Sequence, residues 1–251
     1  MTEKNVFETA MNRKSIREYK PRMPDEEVIE KIVRAGQQAP FVAQLSSLLL
    51  SKNMEKNKFD APLLFTFLVD FHRMELIMEK RGWDFFSNDL IALIFGMQDA
   101  AYMAENMVLA AEEMGLGSCF LGDTPYRSEK IIEKYDLPNR VFPMVQLTMG
   151  YPNEDPPTRP RYPLDFVLFE DEYPDFSEEQ VEKAMEIMDE GYLEQDYYRK
   201  RNGKIPITGN KEDNYSYEDY SWTEHISRKW GQRFKDTEKL KNIIKTCGFE
   251  I

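Results

Sequence analysis

A chain of 251 residues in which 33 Lys and Arg stand against 45 Asp and Glu carries a formal net charge of −12, which excludes a general attraction for nucleic acid or an anionic membrane surface. Hydrophobic residues make up 41% and aromatics 13%, enough for one large packed domain or a domain with an appendage. No apolar run approaches the ~20 residues of a membrane span, and the N-terminal MTEKNVFETA has no apolar signal core, so a cytoplasmic protein is expected.

Val6 to Met11 reads as a short helix that delivers Arg13-Lys14-Ser15-Ile16-Arg17. Pro24-Asp25 opens a second helix over Asp25–Gln38, with Val28, Ile29, Ile32 and Val33 at helical spacing, and Ala39-Pro40 ends it. Ser46–Ser51, with Leu48-Leu49-Leu50, reads as a short buried strand, and Leu63–Val69 as a second, rich in branched and aromatic residues. Asn88–Met114 is the central element: its apolar positions cover most of the circumference, so a helix buried on nearly all sides is expected. At ~1.5 Å per residue it would run ~40 Å, either as a core helix of one chain or with part of its length against a second subunit. Gly115 stops it. Gly117–Leu121 reads as a strand, Ser128–Tyr135 as a short helix with Ser128 as its cap, and Phe142–Met149 as a strand closed by Gly150-Tyr151-Pro152. After the Pro-rich loop 153–163, Phe166–Phe169 is strand-like. Ser177–Lys200 reads as one acidic amphipathic helix, 202–221 as a mobile polar loop, and Trp222–Phe234 and Asp236–Lys245 as closing helices. The pattern is α+β: a sheet covered by helices rather than a regular βαβ series.

Fixed positive charge gathers at Arg13-Lys14-Ser15-Ile16-Arg17 and again at Arg159-Pro160-Arg161. A guanidinium grips phosphate through a planar fork and stays charged at any working pH, so the two clusters, if joined by the fold, make a phosphate seat. Arginines in unrelated surface ion pairs are the competing reading. Cys119 and Cys247 are expected as free thiols, with Cys119 buried rather than nucleophilic, and His72 and His225 as solvent-facing or capping residues. No metal-ligand cluster is expected.

Arg13-x-Ser15-Ile16-Arg17, Gly115-Leu116-Gly117, Met149-Gly150-Tyr151-Pro152 and Arg159-Pro160-Arg161-Tyr162-Pro163, in that order, resemble the nitroreductase-fold flavoproteins. Tyr197-Tyr198-x-x-Arg201 and Ser221-Trp222-Thr223-Glu224-His225-Ile226 resemble the C-terminal arm of the NADPH nitroreductase and flavin reductase branch. The resemblance implies a mostly antiparallel central sheet covered by helices, with the long central helix at the interface of an intertwined homodimer. It implies a core over 1–170 that binds FMN and an arm over 171–251 that wraps the partner subunit. The implied activity is ping-pong hydride transfer from NADPH or NADH through flavin N5 to a nitroaromatic, quinone or flavin acceptor, with no catalytic side chain at the N5 step.

By the same resemblance Arg13 and Ser15 hold the FMN phosphate with Arg159 and Arg161. Arg17 lies near the N1/C2 edge of the flavin, and Gly117 and Ser118 offer backbone amides near N5. Arg199, Lys200 and Arg201 occupy the place where this branch holds the 2′-phosphate of NADPH; a solvated basic helix end is the alternative. The family's Ser/Asn-rich loop after the second helix is here Ala39-Pro40-Phe41-Val42-Ala43-Gln44, shortened and poorer in hydroxyls. Gln44 keeps a ribityl contact in this reading, and Phe41 lines an altered acceptor pocket. That altered loop motivates a second reading, a flavin-binding or flavin-delivering protein with little nicotinamide-driven turnover. A phosphate-sensing interaction module that uses only the arginine cluster is a third.

Overall fold

The computed structural model describes residues 5–85, 88–209, 211–232 and 237–251. They fall into two compact units, one made of the described residues up to 156 together with 237–251, the other of those from 157 to 232.

In the first unit, helix α1 (Val6–Asn12) starts from an Asn5 capping box, with the Asn5 side chain accepting from Glu8 N and the Glu8 carboxylate from Asn5 N. Helix α2 (Glu26–Gln37) follows Asp25 and buries Ile29 and Ile32. Strands β1 (Ser46–Ser51) and β2 (Leu63–Asp70) pair antiparallel, β2 being buried along its whole length. Helix α3 (His72–Arg81) was not anticipated from the sequence; it buries no residue fully and ends on a left-handed Gly82. The long helix α4 (Asp89–Glu113) is capped by the Asn88 side chain, which accepts from the Leu90 and Ile91 amides, and Gly115 lies beyond its end at φ 78°. Strand β3 (Gly117–Leu121), helix α5 (Ser128–Tyr135) and strand β4 (Val141–Gly150) complete a four-stranded sheet in the order β1-β2-β4-β3, every neighbouring pair antiparallel.

The main core lies between α2, α4 and one face of the sheet. Ile29 and Ile32 meet Ala100, Ala104, Met107, Val108 and Ala111, and these cover Phe65, Phe67, Leu147 and Met149. Burying each large apolar side chain contributes on the order of 1.5–3 kcal/mol. Helix α4 corrects the expectation of all-round burial. Its Ala92, Leu93, Ala100 and Ala104 side is buried, but Leu90, Ile91, Ile94, Phe95 and Tyr102 are exposed in the single chain, Leu90 by 55% and Ile91 by 48%. Ser128 also differs from expectation. It is buried and gives no side-chain cap to α5; its hydroxyl lies within hydrogen-bonding distance of the Thr124, Pro125 and Pro143 carbonyls.

In the second unit the strand expected at Phe166–Phe169 is absent: a single 3-10 turn spans Leu164–Phe166. The rings pack on one another instead, Phe166 on Phe176 at 4.5 Å and Phe169 on Phe176 at 5.5 Å. The helix expected over Ser177–Lys200 is two, α6 (Glu178–Glu194) and α7 (Tyr197–Lys200), because Asp196 takes the left-handed φ of 50°. Helix α8 (Trp222–Gln232) closes the unit, and Thr237–Thr246 forms the helix expected near the C-terminus. The expected end at Phe234 and start at Asp236 lie outside the described residues. The described part of 202–221 has no helix or strand, yet it is tied down. Buried Arg228 forks onto Asp213 at 2.8 and 3.0 Å and donates to Ile205 O at 2.7 Å, and the Tyr220 hydroxyl accepts from Ile205 N. That fork is the first cause holding the Asp213 carboxyl well below the usual range.

Candidate functional site

The segment after α1 runs extended along the end of the sheet. Ser15 bridges to Ser118, Ile16 N donates to Ser118 O at 2.9 Å, and Lys20 N donates to Tyr151 O at 2.9 Å. Asn153 N donates to Glu18 O, and the Glu154 carboxylate accepts the amides of both Arg17 and Glu18. Lys14 pairs with Asp155. Tyr19 seals the underside: its hydroxyl donates to Ile16 O at 2.6 Å and bonds Thr148 Oγ1 at 2.9 Å, and burial pushes the phenol far above its ordinary pKa. Five of the expected site residues, Arg13, Ser15, Arg17, Gly117 and Ser118, are thereby brought to one place.

Their states differ in a way that matters for chemistry. Half-buried Arg13 makes no hydrogen bond or ion pair with any described residue. Among the described residues the Arg17 guanidinium bonds only Ser15 O, at 3.4 Å. Ser118 is 1% exposed and its Oγ has no partner among the described residues. A buried hydroxyl without a partner costs on the order of 1–3 kcal/mol, so it marks a place where a ligand atom can repay the loss. Gly117 has a packing reason of its own. A Cβ there would lie 2.4 Å from Ile16 Cγ1, so the glycine lets the arginine segment dock.

Phe41 and Gln44 lie at a second place in the same unit, in a cleft of about 240 Å³ between α2, α4 and the start of β1. Phe41 is 55% exposed, and Gln44 sits at a left-handed φ of 54°. The loop is shaped by a residue the sequence reading missed. Asp99, on the buried side of α4 and 2% exposed, accepts the amides of Val42 (2.6 Å), Ala43 (3.3 Å) and Leu45 (2.8 Å). An acid set on the helix's buried side among Ala92, Leu93, Ala100 and Ala104 was the signal available.

The remaining expected residues lie together in the second unit. Arg159 bonds Gln195 and covers the Tyr197 ring, its guanidinium carbon 4.2 Å from the ring centre. Arg161 turns its Nη1 to the carbonyls of Arg159 and Pro160, at 3.1 and 3.0 Å. Arg199 pairs with Asp196 at 3.4 Å, Lys200 donates to Gln195 O at 2.9 Å, and Arg201 lies 5.0 Å from the same Tyr197 ring centre. Among the described residues no group of three or more His, Cys, Asp or Glu is placed to hold a metal ion. No helix of the described residues is long and apolar enough to cross a membrane.

The model of the nitroreductase family matches residues 10–51 and 49–151, and that of the family's C-terminal domain matches residues 159–251. The chain belongs to the nitroreductase family. It is thus an enzyme of the oxidoreductase class, and the nitroreductase fold expected from the motif order is the fold observed. It is 31% identical over 217 residues to the NADPH-dependent oxidoreductase of Staphylococcus haemolyticus (strain JCSC1435), covering 79% of this chain and 85% of that one. It is 31% identical over 182 residues to the Cr(VI) reductase of Pseudomonas sp. (strain G-1), covering 67% and 75%. Among solved structures, B. megaterium NfrA1 superposes with a TM-score of 0.81 at 27% identity, covering 97% of this chain and 98% of that one.

Proposed function

We propose that this nitroreductase is an FMN-dependent NAD(P)H oxidoreductase that passes electrons to small acceptors of the nitroaromatic, quinone or flavin type. The observation that carries this reading is the Ser15–Ser118 bridge, which docks the Arg13–Arg17 segment on the head of β3, where the buried Ser118 Oγ has no partner among the described residues. FMN fits these residues: Arg13 lacks a counter-charge and Ser118 Oγ lacks a partner among the described residues, and a phosphate-bearing flavin offers an anion and several acceptors. The names of two relatives, one NADPH-dependent oxidoreductase and one Cr(VI) reductase, support the redox class.

In this reading Arg13, Ser15, Arg159 and Arg161 are the residues assigned to the flavin phosphate. When bound, FMN would supply the two-electron chemistry of ping-pong hydride transfer between a nicotinamide and an acceptor. Arg17 places a fixed cation near the flavin N1/C2 edge and favours negative charge there. Gly117 and Ser118 present backbone close to the ring. Gln44 contacts the ribityl chain, and Phe41 walls the acceptor side and excludes water. Arg199, Lys200 and Arg201 are assigned to the 2′-phosphate of NADPH. The core and the arm extending beyond about residue 170 belong to a cytoplasmic homodimer, whose interface takes the exposed apolar side of α4.

The purified protein should be yellow, and anaerobic NADPH or NADH should bleach its flavin absorbance within the turnover time. A protein that binds FMN but is bleached by neither nicotinamide is a flavin carrier and not an oxidoreductase of this type.

A further inference from the structure

The family resemblance assigns Arg159 and Arg161 to one phosphate and Arg199, Lys200 and Arg201 to another. The structure gathers them at the α6–α7 break. Gln195, the last residue before the left-handed Asp196, accepts from Arg159, donates its Nε2 to Thr158 O at 2.9 Å, and accepts Lys200 Nζ at its carbonyl. Arg199 is taken by Asp196. The Arg201 guanidinium makes no hydrogen bond or ion pair with a described residue and rests over Tyr197.

Tyr197 is half-buried and its plane is held. The rings of Tyr192 and Tyr198 stand at 83° and 88° to it, at 5.2 and 5.0 Å, and Tyr198 is itself stacked on His225 at 4.5 Å. One ring fixed in this way carries two guanidinium groups, at 4.2 and 5.0 Å. The two charges therefore lie within about 9 Å of each other, inside the ~10 Å screening length of 0.1 M salt. Their repulsion is offset in part by the negative π face and further by any anion bound between or beside them. Tyr192 marks the same field: burial raises its phenol pKa, and Arg159 and Arg161 oppose the rise.

We propose that Tyr197 is a positioning residue that holds Arg159 and Arg201 at once, so that recognition of the flavin phosphate and of the nicotinamide 2′-phosphate depends on one ring. This rests on the assignment of Arg159 and Arg201 made above. It narrows the basic stretch 199–201 to Arg201, since the other two are engaged. It also predicts that losses at the two phosphates travel together.

The test uses the full chain. Flavin-stripped protein is titrated with FMN and with riboflavin by fluorescence quenching, which gives the preference for the 5′-phosphate. KM values for NADPH and NADH give the preference for the 2′-phosphate. Tyr197→Met keeps bulk without a π face and is expected to lower both preferences two- to fivefold, the scale of an exposed cation–π contact. Tyr197→Phe keeps the face and should keep both preferences; a merely structural role for the tyrosine would not separate the two ratios from overall activity in this way. Gln195→Ala removes the side-chain bonds to Arg159 and to Thr158 O, leaves the contact of Arg201 with the Tyr197 ring in place, and should lower only the FMN preference. Should Tyr197→Met not fold, Tyr197→Leu replaces it, and Gln195→Ala still reads the Arg159 half. A folded Tyr197→Met that moves neither ratio, or only one, overturns the proposal. Arg159→Ala tells the two levels apart. If it abolishes the FMN preference while Tyr197→Met changes nothing, the phosphate assignment stands and the shared ring falls. If Arg159→Ala leaves that preference intact, the assignment falls and the shared ring with it.

Discussion

Two guanidinium groups in the first unit show what an arginine is for. Arg140 is closely partnered, with a fork to Asp89, an ion pair to Glu75 at 2.9 Å and a bond to Gly248 O at 2.8 Å. Arg13 is half-buried and meets no described partner. A side chain held without a counter-charge contributes little to folding, and the fold gains nothing by keeping it there. A ligand does. Arg13→Ala is therefore expected to leave the urea midpoint nearly unchanged, within about 0.5 kcal/mol, the range of a surface substitution. The same change should weaken FMN by about 1.5–3 kcal/mol, the scale of a lost charged hydrogen bond. Chemical denaturation and a flavin titration on one preparation read both numbers, and a variant that loses stability but keeps its flavin would move Arg13 from ligand to scaffold.

Between elements, the Arg140 cluster joins the start of α4, helix α3 and the C-terminal residues. Asp89 opens α4, Glu75 lies on α3, Glu250 N donates to Asp89 at 2.6 Å, and the Phe71, Phe85 and Phe249 rings surround the guanidinium at 4.5 to 5.4 Å. The hydrogen bonds from Arg140 are the largest cause holding the Asp89 carboxyl below its usual range. A carboxyl depressed in the folded state contributes stability that is present above its unfolded pKa of about 3.9 and is lost as pH falls through the lower folded value. Arg140→Ala strands Asp89 in the interior and is expected to cost about 3–5 kcal/mol at neutral pH. Its stability should also fall less steeply between about pH 5 and pH 2 than that of the wild type, a slope that acid titration of the unfolding midpoint measures. None of this was legible in the sequence, because Arg140 sits at a turn, at φ 70°, between α5 and β4. The strands were legible: Ser46–Ser51 and Gly117–Leu121 are unbroken runs with clear stops, and the structure keeps those limits. Helix α3 was hidden because Met74, Leu76, Ile77 and Met78 make no single stripe and bury nothing fully. Phe166–Phe169 looked like a strand because aromatic residues serve equally well in a loop whose rings pack on each other. At the candidate site the arginines were legible as a charge pattern, whereas the Asp99 template and the Tyr197 ring depend on contacts between distant residues.

For the whole molecule the governing fact is an apolar helix face that the described residues of one chain leave exposed. Leu90, Ile91, Ile94 and Phe95 recur at three- and four-residue spacing along α4, with Tyr102 seven residues beyond Phe95, while the opposite side of the same helix is sealed in the core. An acidic molecule with a net charge of −12 stays dispersed through self-repulsion, so association needs a local apolar surface strong enough to overcome it. This face meets that need, and a second copy of the chain is the occupant proposed above. Ile94 is the residue to change, because it is exposed and its removal leaves the core of α4 intact. In a dimer, Ile94→Glu buries a carboxylate without a partner at a cost of several kcal/mol, so the dissociation constant should rise about 100-fold or more. The single chain should remain folded, since a glutamate on an exposed helix position is a good helix former. Sedimentation across a concentration series separates the two effects from aggregation. A mass that halves while the far-ultraviolet spectrum holds places α4 at the interface, and a variant that sediments as the wild type does moves the contact to another surface.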